Sequence, residues 1–281
     1  MKLHFKLTAT TIFAIVISLF TEKTPAQIVP DNTLGAEGSI VTPITGLPLD
    51  FIEGGAIRNQ NLFHSFQEFN IGETGAAYFD NPIGINNIIT RVTGNNSSQI
   101  LGLLGVLGDA NLFFINPNGI IFGSGATLDL QGNFVASTAS NVLFKNGFDF
   151  STVNPQIPPL LSIDMPIGLR FREQPQPIDV SFGLQVQPSK TLALVGGDVN
   201  LFEGSLITQG GRIELGGLSA AGTVNFNFDS NNNFSLDYPT FTQKANVSLI
   251  GTLIDLTSTQ AGSLVINANN LDYSGSLILQ D

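Results

Sequence analysis

The 281-residue chain has no cysteine and no tryptophan, and only two histidines. Without cysteine there is no disulfide, no thiolate metal site and no cysteine nucleophile. A chain that must stay unfolded until it has crossed a membrane is also safer without bonds that could lock it early. Charge is scarce as well. Charged residues make up 12%, with 11 Lys and Arg against 22 Asp and Glu, for a formal charge of −11. So few cations argue against nucleic acid, which needs several to displace condensed counterions. They argue equally against an anionic membrane surface. Long helices want Ala, Glu, Lys and Leu on their surfaces. This chain offers Gly, Asn, Thr, Ser, Val and Ile instead, a composition that favours strands.

The first 26 residues read as a secretory leader. Lys2 and Lys6 precede an apolar run from Thr11 to Phe20, and a polar stretch ends at Thr24-Pro25-Ala26. The apolar core is too short to cross about 30 Å of hydrocarbon, so cleavage after about Ala26 is expected. Removing Lys2, Lys6, Lys23 and Glu22 takes the charge from −11 to −13. No later segment holds about 18 consecutive apolar residues, so no transmembrane helix is expected in the mature chain.

Periodicity carries the fold. In "TLALVGGDVNLFEGSLITQGGRIELGG", apolar–x–apolar units begin at Leu192, Val199, Leu206 and Ile213. A spacing of seven imitates a coiled coil. The intervening Gly196-Gly197, Gly204 and Gly210-Gly211 exclude one, since each glycine costs about 1 kcal/mol in a helix. Alternation within each unit is strand spacing. Three short strands per rung of about 21–22 residues make an all-β parallel β-helix, a single-stranded solenoid. Leu112, Phe114, Ile120 and Phe122 are expected inside, with Leu112 stacked on Phe134 and Leu192 on Ile213. Leu112/Phe114, Ile120/Phe122 and Leu128/Leu130 continue the pattern, as do Val247/Leu249, Ile254/Leu256, Leu264/Ile266 and Leu271/Tyr273. The proline-rich stretch Pro155 to Gln187 reads as an excursion carrying a hairpin around "IGLRF", because proline cannot serve in central strands. A second excursion is expected from Asn225 to Tyr238. "NPNG" at Asn116–Gly119 is a corner: Pro117 fixes φ, and Asn118-Gly119 accepts positive φ.

Chemistry finds little to hold. Glycoside hydrolysis needs two carboxylates roughly 5–10 Å apart. Asp198 and Glu214 lie in the regular coils, yet their 16-residue separation is not one rung. The alternative of a β-helix enzyme acting on polysaccharide, a lyase or hydrolase, therefore has no visible site, and neither cofactor nor metal is expected. His64, among Leu62, Phe63 and Phe66, reads as a hydrogen-bonded histidine near an N-terminal cap. "NNSS" at Asn95–Ser98 matches a glycosylation sequon and is read as a turn. "GSGATL" is no dinucleotide loop, since no helix follows.

The stretch "LFFINPNGIIFGSGATLDLQGNFVAST" resembles the core of the secretion domain of two-partner secretion exoproteins, the filamentous-haemagglutinin N-terminal family. "AQIVPDNTLGAEGSIV", "GGAIRNQNLFHSFQEFNI" and "AYFDNPIGINNIITRVTGNNSSQILGLL" resemble its other blocks in the same order, and "GLQVQPSKTLALVGGDVNL" its later coils. A separate NPNL motif of the family is absent. Its nearest candidate is Phe79-Asp80-Asn81-Pro82, and no role is carried over to those residues. The resemblance implies export to the periplasm and recognition by an outer-membrane barrel transporter with periplasmic partner-binding domains. It implies folding into a right-handed β-helix, capped at its N-terminus, at the cell surface or in the medium, and an adhesin- or haemagglutinin-like role without catalysis. Host or neighbour-cell glycans are candidate surface partners. On the family pattern, Asn116, Pro117, Asn118, Gly119 and Ile120 form the partner-recognition motif. Asn61, Leu62, Phe63, His64 and Phe66 form a possible secondary one. Residues 27–187 are the expected secretion domain, with cap, first coils and proline-rich excursion, and 188–281 are further rungs. The strand pattern of "AGSLVINANNLDYSGSLILQD" runs to the last residues with no polar cap, so a longer parent exoprotein, or an open reading frame cut short, is expected.

Overall fold

A computed structural model describes residues 27–160, 163–228 and 234–280; the leader lies outside them. The chain forms a parallel β-helix of three faces. The first face runs Asn61–Phe69, Asn87–Val92, Asn111–Ile115, Phe134–Ser137, Thr191–Gly196, Arg212–Gly217 and Ser263–Asn267, each parallel to the next. The second runs Ser98–Ile100, Ile120–Phe122, Ile178–Val180, Val199–Phe202, Val247–Ile250 and Leu271–Ser274. The third is split. One ladder holds Leu49–Gly54, Ala76–Asp80, Leu103–Leu107 and Thr127–Asp129. The other holds Gly183–Gln185, Ser205–Ile207, Leu253–Asp255 and Leu277–Leu279. The two ladders meet without hydrogen bonding, leaving a groove of about 330 Å³ lined by Thr127, Leu128, Leu130, Phe182, Leu184 and Ile207.

The stacking follows the predicted register. Leu112 pairs with Phe134, and Leu192 with Ile213. All four are fully buried in one continuous core with Leu62, Ile88, Ile120, Phe122 and Leu206. The rungs are not uniform. Successive first-face strands lie 26, 24 and 22 residues apart from Asn61 to Asn133, and 21 apart from Thr191 to Arg212. Longer corners near the N-terminus account for the looser pattern there.

The first face is buried on both sides. Its outward residues Phe63, Ile89, Phe113, Val135 and Ala193 pack under a second layer containing Phe144, Phe150, Leu169, Val224, Phe226 and Phe234. That layer is a five-stranded antiparallel sheet in the order Asp149–Ser151, Asn141–Phe144, Pro166–Phe171, Gly222–Phe228, Phe234–Asp237. Burial on two sides explains why "NLFFI" and "TLALV" are apolar at nearly every position, as in parallel sheets covered on both faces. Each fully buried Phe or Leu there contributes on the order of 1.5–3 kcal/mol.

Both excursions are wider than their compositions indicate. The first leaves the coil after the strand Phe134–Ser137 and returns at Ile178–Val180, well before Gln187. Prolines mark only its irregular middle; the strands Asn141–Phe144 and Asp149–Ser151 have ordinary strand composition. Nor is "IGLRF" half of a local hairpin. Pro166–Phe171 lies between two partners distant in sequence, with Pro166 placed where the register slips. The second excursion departs after Arg212–Gly217, forms the hairpin Gly222–Phe228/Phe234–Asp237, and returns at Val247–Ile250.

An N-terminal cap closes the helix. Ile28–Pro30 runs antiparallel to Asn61–Phe69, and Ser39–Pro43 pairs antiparallel with Leu49–Gly54. These strands cover the first rung's edge, which would otherwise recruit another chain.

Candidate functional site

The corner at Asn116 is a closed hydrogen-bond unit. Asn116 is fully buried. Its Nδ2 donates to Asn96 O at 3.0 Å and Ser98 Oγ at 2.9 Å, and its Oδ1 accepts the Asn118 amide at 2.9 Å. The Gly119 amide donates to Asn116 O at 3.2 Å. This is an Asx turn inside a β-turn. Asn118 Nδ2 donates to Gly94 O at 2.7 Å, so both asparagines tie this corner to "GNNSS" one rung before it. The sequon residues Asn95–Ser98 thus form a rung corner. Gly119 has φ +110°, which strongly disfavours a side chain. Ile120 enters the second face between Ser98 and Ile178. From the excursion, Arg172 Nη2 donates to Pro117 O and Asn118 Oδ1, each at 3.0 Å.

The second motif lies on the first rung. Leu62 and Phe66 point into the helix core, and Phe63 points into the layer above. His64 is fully buried beside the rings of Phe66 and Phe79. Its Nδ1 lies 3.0 Å from Ser39 Oγ of the cap, and Nε2 has no partner. Desolvation pulls its pKa down to about 3, so the ring is neutral. The structure does not bring the two motifs together: the strand Asn87–Val92 separates Asn61–Phe69 from Asn111–Ile115, and no hydrogen bond links them.

Three features were not anticipated. Asn61, Asn87 and Asn111 open three successive first-face strands, Asn133 immediately precedes the fourth, and the four form a ladder, Nδ2 to Oδ1, at 3.0, 2.9 and 2.9 Å. Asn61 Nδ2 donates onward to Ile163 O at 2.8 Å, and Thr191 N donates to Asn133 Oδ1 at 2.7 Å. The signal was present: "NLF", "NII", "NLF" and "NFV" repeat Asn before two apolar residues. Second, Arg91 is buried, with its guanidinium 4.1 Å from the Phe150 ring. It donates to Ser65 Oγ, Thr33 Oγ1, Ser151 O and Gln156 O. Desolvation draws it down to about 10 while Asp31 opposes the shift. Third, Arg58 bridges Glu37 of the cap, at 2.6 Å, and the carbonyls of Pro158 and Pro159. Nothing local in sequence points to those last partners, 100 residues away.

The carboxylates weighed for hydrolysis do not share a cleft. Asp198 Oδ1 accepts the Asn246 amide at a corner, while Glu214 is buried between the two layers beside Arg212. Among the described residues no group of three or more acidic or imidazole side chains could hold a metal ion.

Comparison with known proteins agrees with this architecture. The secretion domain of HMW1 from Haemophilus influenzae superposes with a TM-score of 0.58 at 18% identity, over 90% of this chain and 66% of that one. The filamentous hemagglutinin secretion domain superposes with a TM-score of 0.52 at 14% identity, over 90% and 99%. At these identities the likeness is one of fold. A heme/hemopexin-binding protein of Haemophilus influenzae is 33% identical over 82 residues, 29% of this chain and 9% of that protein's length. The chain thus spans less than two thirds of the HMW1 structure and a small part of the hemopexin-binding relative. The model of the TPS secretion domain matches residues 26–271. With stacked parallel rungs, an N-terminal cap and a match across nearly its whole length, this chain belongs to the TPS secretion domain family of two-partner secretion exoproteins.

Proposed function

We propose that this domain is exported to the periplasm, read there in an extended state by an outer-membrane barrel transporter, and folded into its β-helix on the far side. The observation that carries this reading is the saturation of Asn116. Both amide hydrogens and the amide oxygen bond within the chain, in a corner sealed from solvent. Once folded, the residue has nothing to offer a partner. Any recognition through Asn116 must therefore precede folding, when its amide is free to donate and accept. Asn118, half-buried and held by Gly94 O and Arg172, follows the same logic.

At the surface, we assign the folded helix an adhesin-like role without catalysis. Asp179, Asn200, Ser248 and Asp272 point outward from paired second-face strands. Neighbouring strands lie about 4.8 Å apart. The row offers carboxylate, amide and hydroxyl groups of a kind that meets sugar hydroxyls.

The test is co-expression of the chain with its barrel, comparing wild type with Asn116→Ala and Asn118→Ala. Medium and periplasm are assayed for the chain, and the purified variants for unfolding midpoint. The expected result is wild-type chain in the medium and variant chain retained in the periplasm. Wild type that stays periplasmic with the barrel present would refute the transport reading. Variants exported normally yet less stable would confine both asparagines to the corner.

A further inference from the structure

The groove on the third face lies apart from both motifs and from the second-face row. It exists because two successive rungs do not pair. Thr127–Asp129 closes one ladder, Gly183–Gln185 opens the other, and no hydrogen bond joins them. Backbone groups alternate sides along a strand. The Thr127 amide donates back to Gly102 O, so the N–H and C=O of Leu128 face the gap. Across it, Phe182 O accepts from the Ser205 amide and the Val186 amide donates to Ile207 O. The backbone groups of Gly183 and Gln185 therefore face the gap from the other side. No hydrogen bond from the described residues reaches these edge groups.

The width of the gap narrows what can serve them. Cα atoms of the two strands come within 8 Å of each other. A peptide strand seated between them would need about twice the strand spacing of about 4.8 Å, so an extended polypeptide does not fit. Hydroxyl groups do fit: like water, each donates and accepts in a small space. The lining has the same character. Phe182, 47% exposed, forms an aromatic wall, and Thr127, Gln185, Gln187 and Ser205 add hydroxyls and amides. No lining side chain is charged, in a chain of formal charge −11. A Cβ on Gly183 would sit 2.7 Å from Ser205 Oγ, so glycine keeps the floor open. One concave aromatic surface with a few convergent polar groups is the pattern of a small-ligand site. Beyond Asp129 on the same face, the half-exposed Tyr78 ring lies across Gly105, where any Cβ would collide with it. The Tyr78 hydroxyl donates to Asp129 Oδ2 at 2.7 Å, which fixes the ring in place.

We propose that this groove binds a neutral glycan. One sugar ring lays its C–H face on Phe182 and its hydroxyls on the edge groups of Leu128, Gly183 and Gln185. The glycan chain runs past Asp129 along the helix axis to the Tyr78 ring. An acidic protein repels anionic sugars, and the uncharged lining offers a cation no partner. The site rests on the adhesin-like reading for its ligand class only; its position comes from the unpaired rungs.

The experiment is saturation-transfer NMR on residues 27–281, irradiated at aromatic protons and titrated with hexasaccharides of β-1,4-glucose, β-1,4-N-acetylglucosamine and α-1,6-mannose. A sulfated heparin hexasaccharide and a hexapeptide of alternating threonine and valine are the contrasting probes. Transfer to the C–H face of at least one neutral hexasaccharide is expected. Phe182→Ala should weaken its binding about tenfold, a stacking loss, with the urea midpoint of wild type because Phe182 is exposed. Gly183→Leu should fill the floor and abolish binding while circular dichroism stays that of wild type. No transfer to any of the three neutral sugars would overturn the proposal, whatever the export assay returns. Binding lost in Asn200→Ala but kept in Phe182→Ala would overturn the groove and leave the second-face row standing. Tighter binding of the heparin fragment or the peptide would overturn the ligand class. A hexasaccharide held as well by Tyr78→Ala as by wild type would remove Tyr78 from the site.

Discussion

Replacing Asn111 by alanine should destabilise the folded domain by about 3 kcal/mol or more. Asn111 stands in the middle of the ladder. Its Nδ2 serves Asn87 Oδ1, and its Oδ1 accepts both the backbone amide and Nδ2 of Asn133, each at 2.9 Å. Alanine leaves one acceptor and two donors without partners, and each buried orphan costs about 1–3 kcal/mol. Asn111 is only 7% exposed, so water reaches the gap poorly. Aspartate should be no better. Its carboxylate could accept from Asn133 but would face Asn87 Oδ1. Flipping Asn87 would pass the conflict to Asn61, and from there to the Ile163 carbonyl, which can only accept. The ladder has a direction, fixed at one end by the Thr191 amide and at the other by Ile163 O. The assay is the urea midpoint of residues 27–281, followed by far-UV circular dichroism because the chain has no tryptophan. Asn200→Ala, which removes one half-buried hydrogen bond to Asp179, is the control. An Asn111→Ala midpoint no lower than the control's would show that the ladder contributes nothing beyond ordinary surface bonds.

Two further perturbations test other parts of the fold. Gly119→Val would hold a β-branched residue at φ +110°, costing on the order of 1–3 kcal/mol; its neighbours at 3.5 Å or more leave room, so strain alone sets the loss, and an unchanged midpoint would mean the turn relaxes freely. His64 is neutral when folded, with a pKa near 3, whereas the unfolded ring titrates near 6.5. Below about pH 6.5 the unfolded state binds the extra proton, so stability is full above that pH and falls by about 1.4 kcal/mol per unit toward pH 3. His64→Gln should flatten the acid limb of the stability curve, measured as urea midpoint between pH 4 and 7, and an equally steep limb in the variant would move the effect to other groups.

The coil was legible because its signal is local. Leu192, Val199, Leu206 and Ile213 repeat at seven within a few tens of residues, and glycines between them exclude a helix. The corner at Asn116 was legible for the same reason: an Asx turn is written in four consecutive residues. The outer layer was not. Val142, Leu169 and Val224 alternate like coil strands, yet they belong to an antiparallel sheet whose members come from two excursions. Periodicity reports that one face of a strand is buried; it does not report which layer buries it. The charged anchors were hidden more deeply, because Arg58 and Arg91 are identified by carbonyls of residues 151–159 rather than by any neighbouring carboxylate motif.

Those anchors bear on the order in which the domain can fold. A growing solenoid offers each new rung a template, so folding could in principle follow the chain from its first strand. Here the first rungs cannot be completed that way. Asn61 and Arg58 of rung one reach Ile163, Pro158 and Pro159, and Arg91 of rung two reaches Ser151 and Gln156. Until those residues arrive, Arg58 keeps only Glu37 and its own neighbouring carbonyl, and Arg91 only Ser65 and Thr33, so part of each guanidinium must stay in water and the rung cannot close over it. Phe113 has a longer wait still, since it is covered by Phe226 and Phe234. Contacts at such separation in sequence are slow to form, because loop closure must be met before they contribute. A segment ending at Gln187 would leave one edge of Pro166–Phe171 without its partner Gly222–Phe228 and Phe113 partly uncovered. We therefore expect residues 27–187 to carry the export signal but not the full stability of the domain, and the span that folds to its full midpoint to extend at least through Phe234–Asp237. Urea midpoints of residues 27–187 and 27–245, set beside 27–281, decide it: equal midpoints for 27–187 and 27–281 would show that the outer sheet adds nothing and that the rungs stand without it.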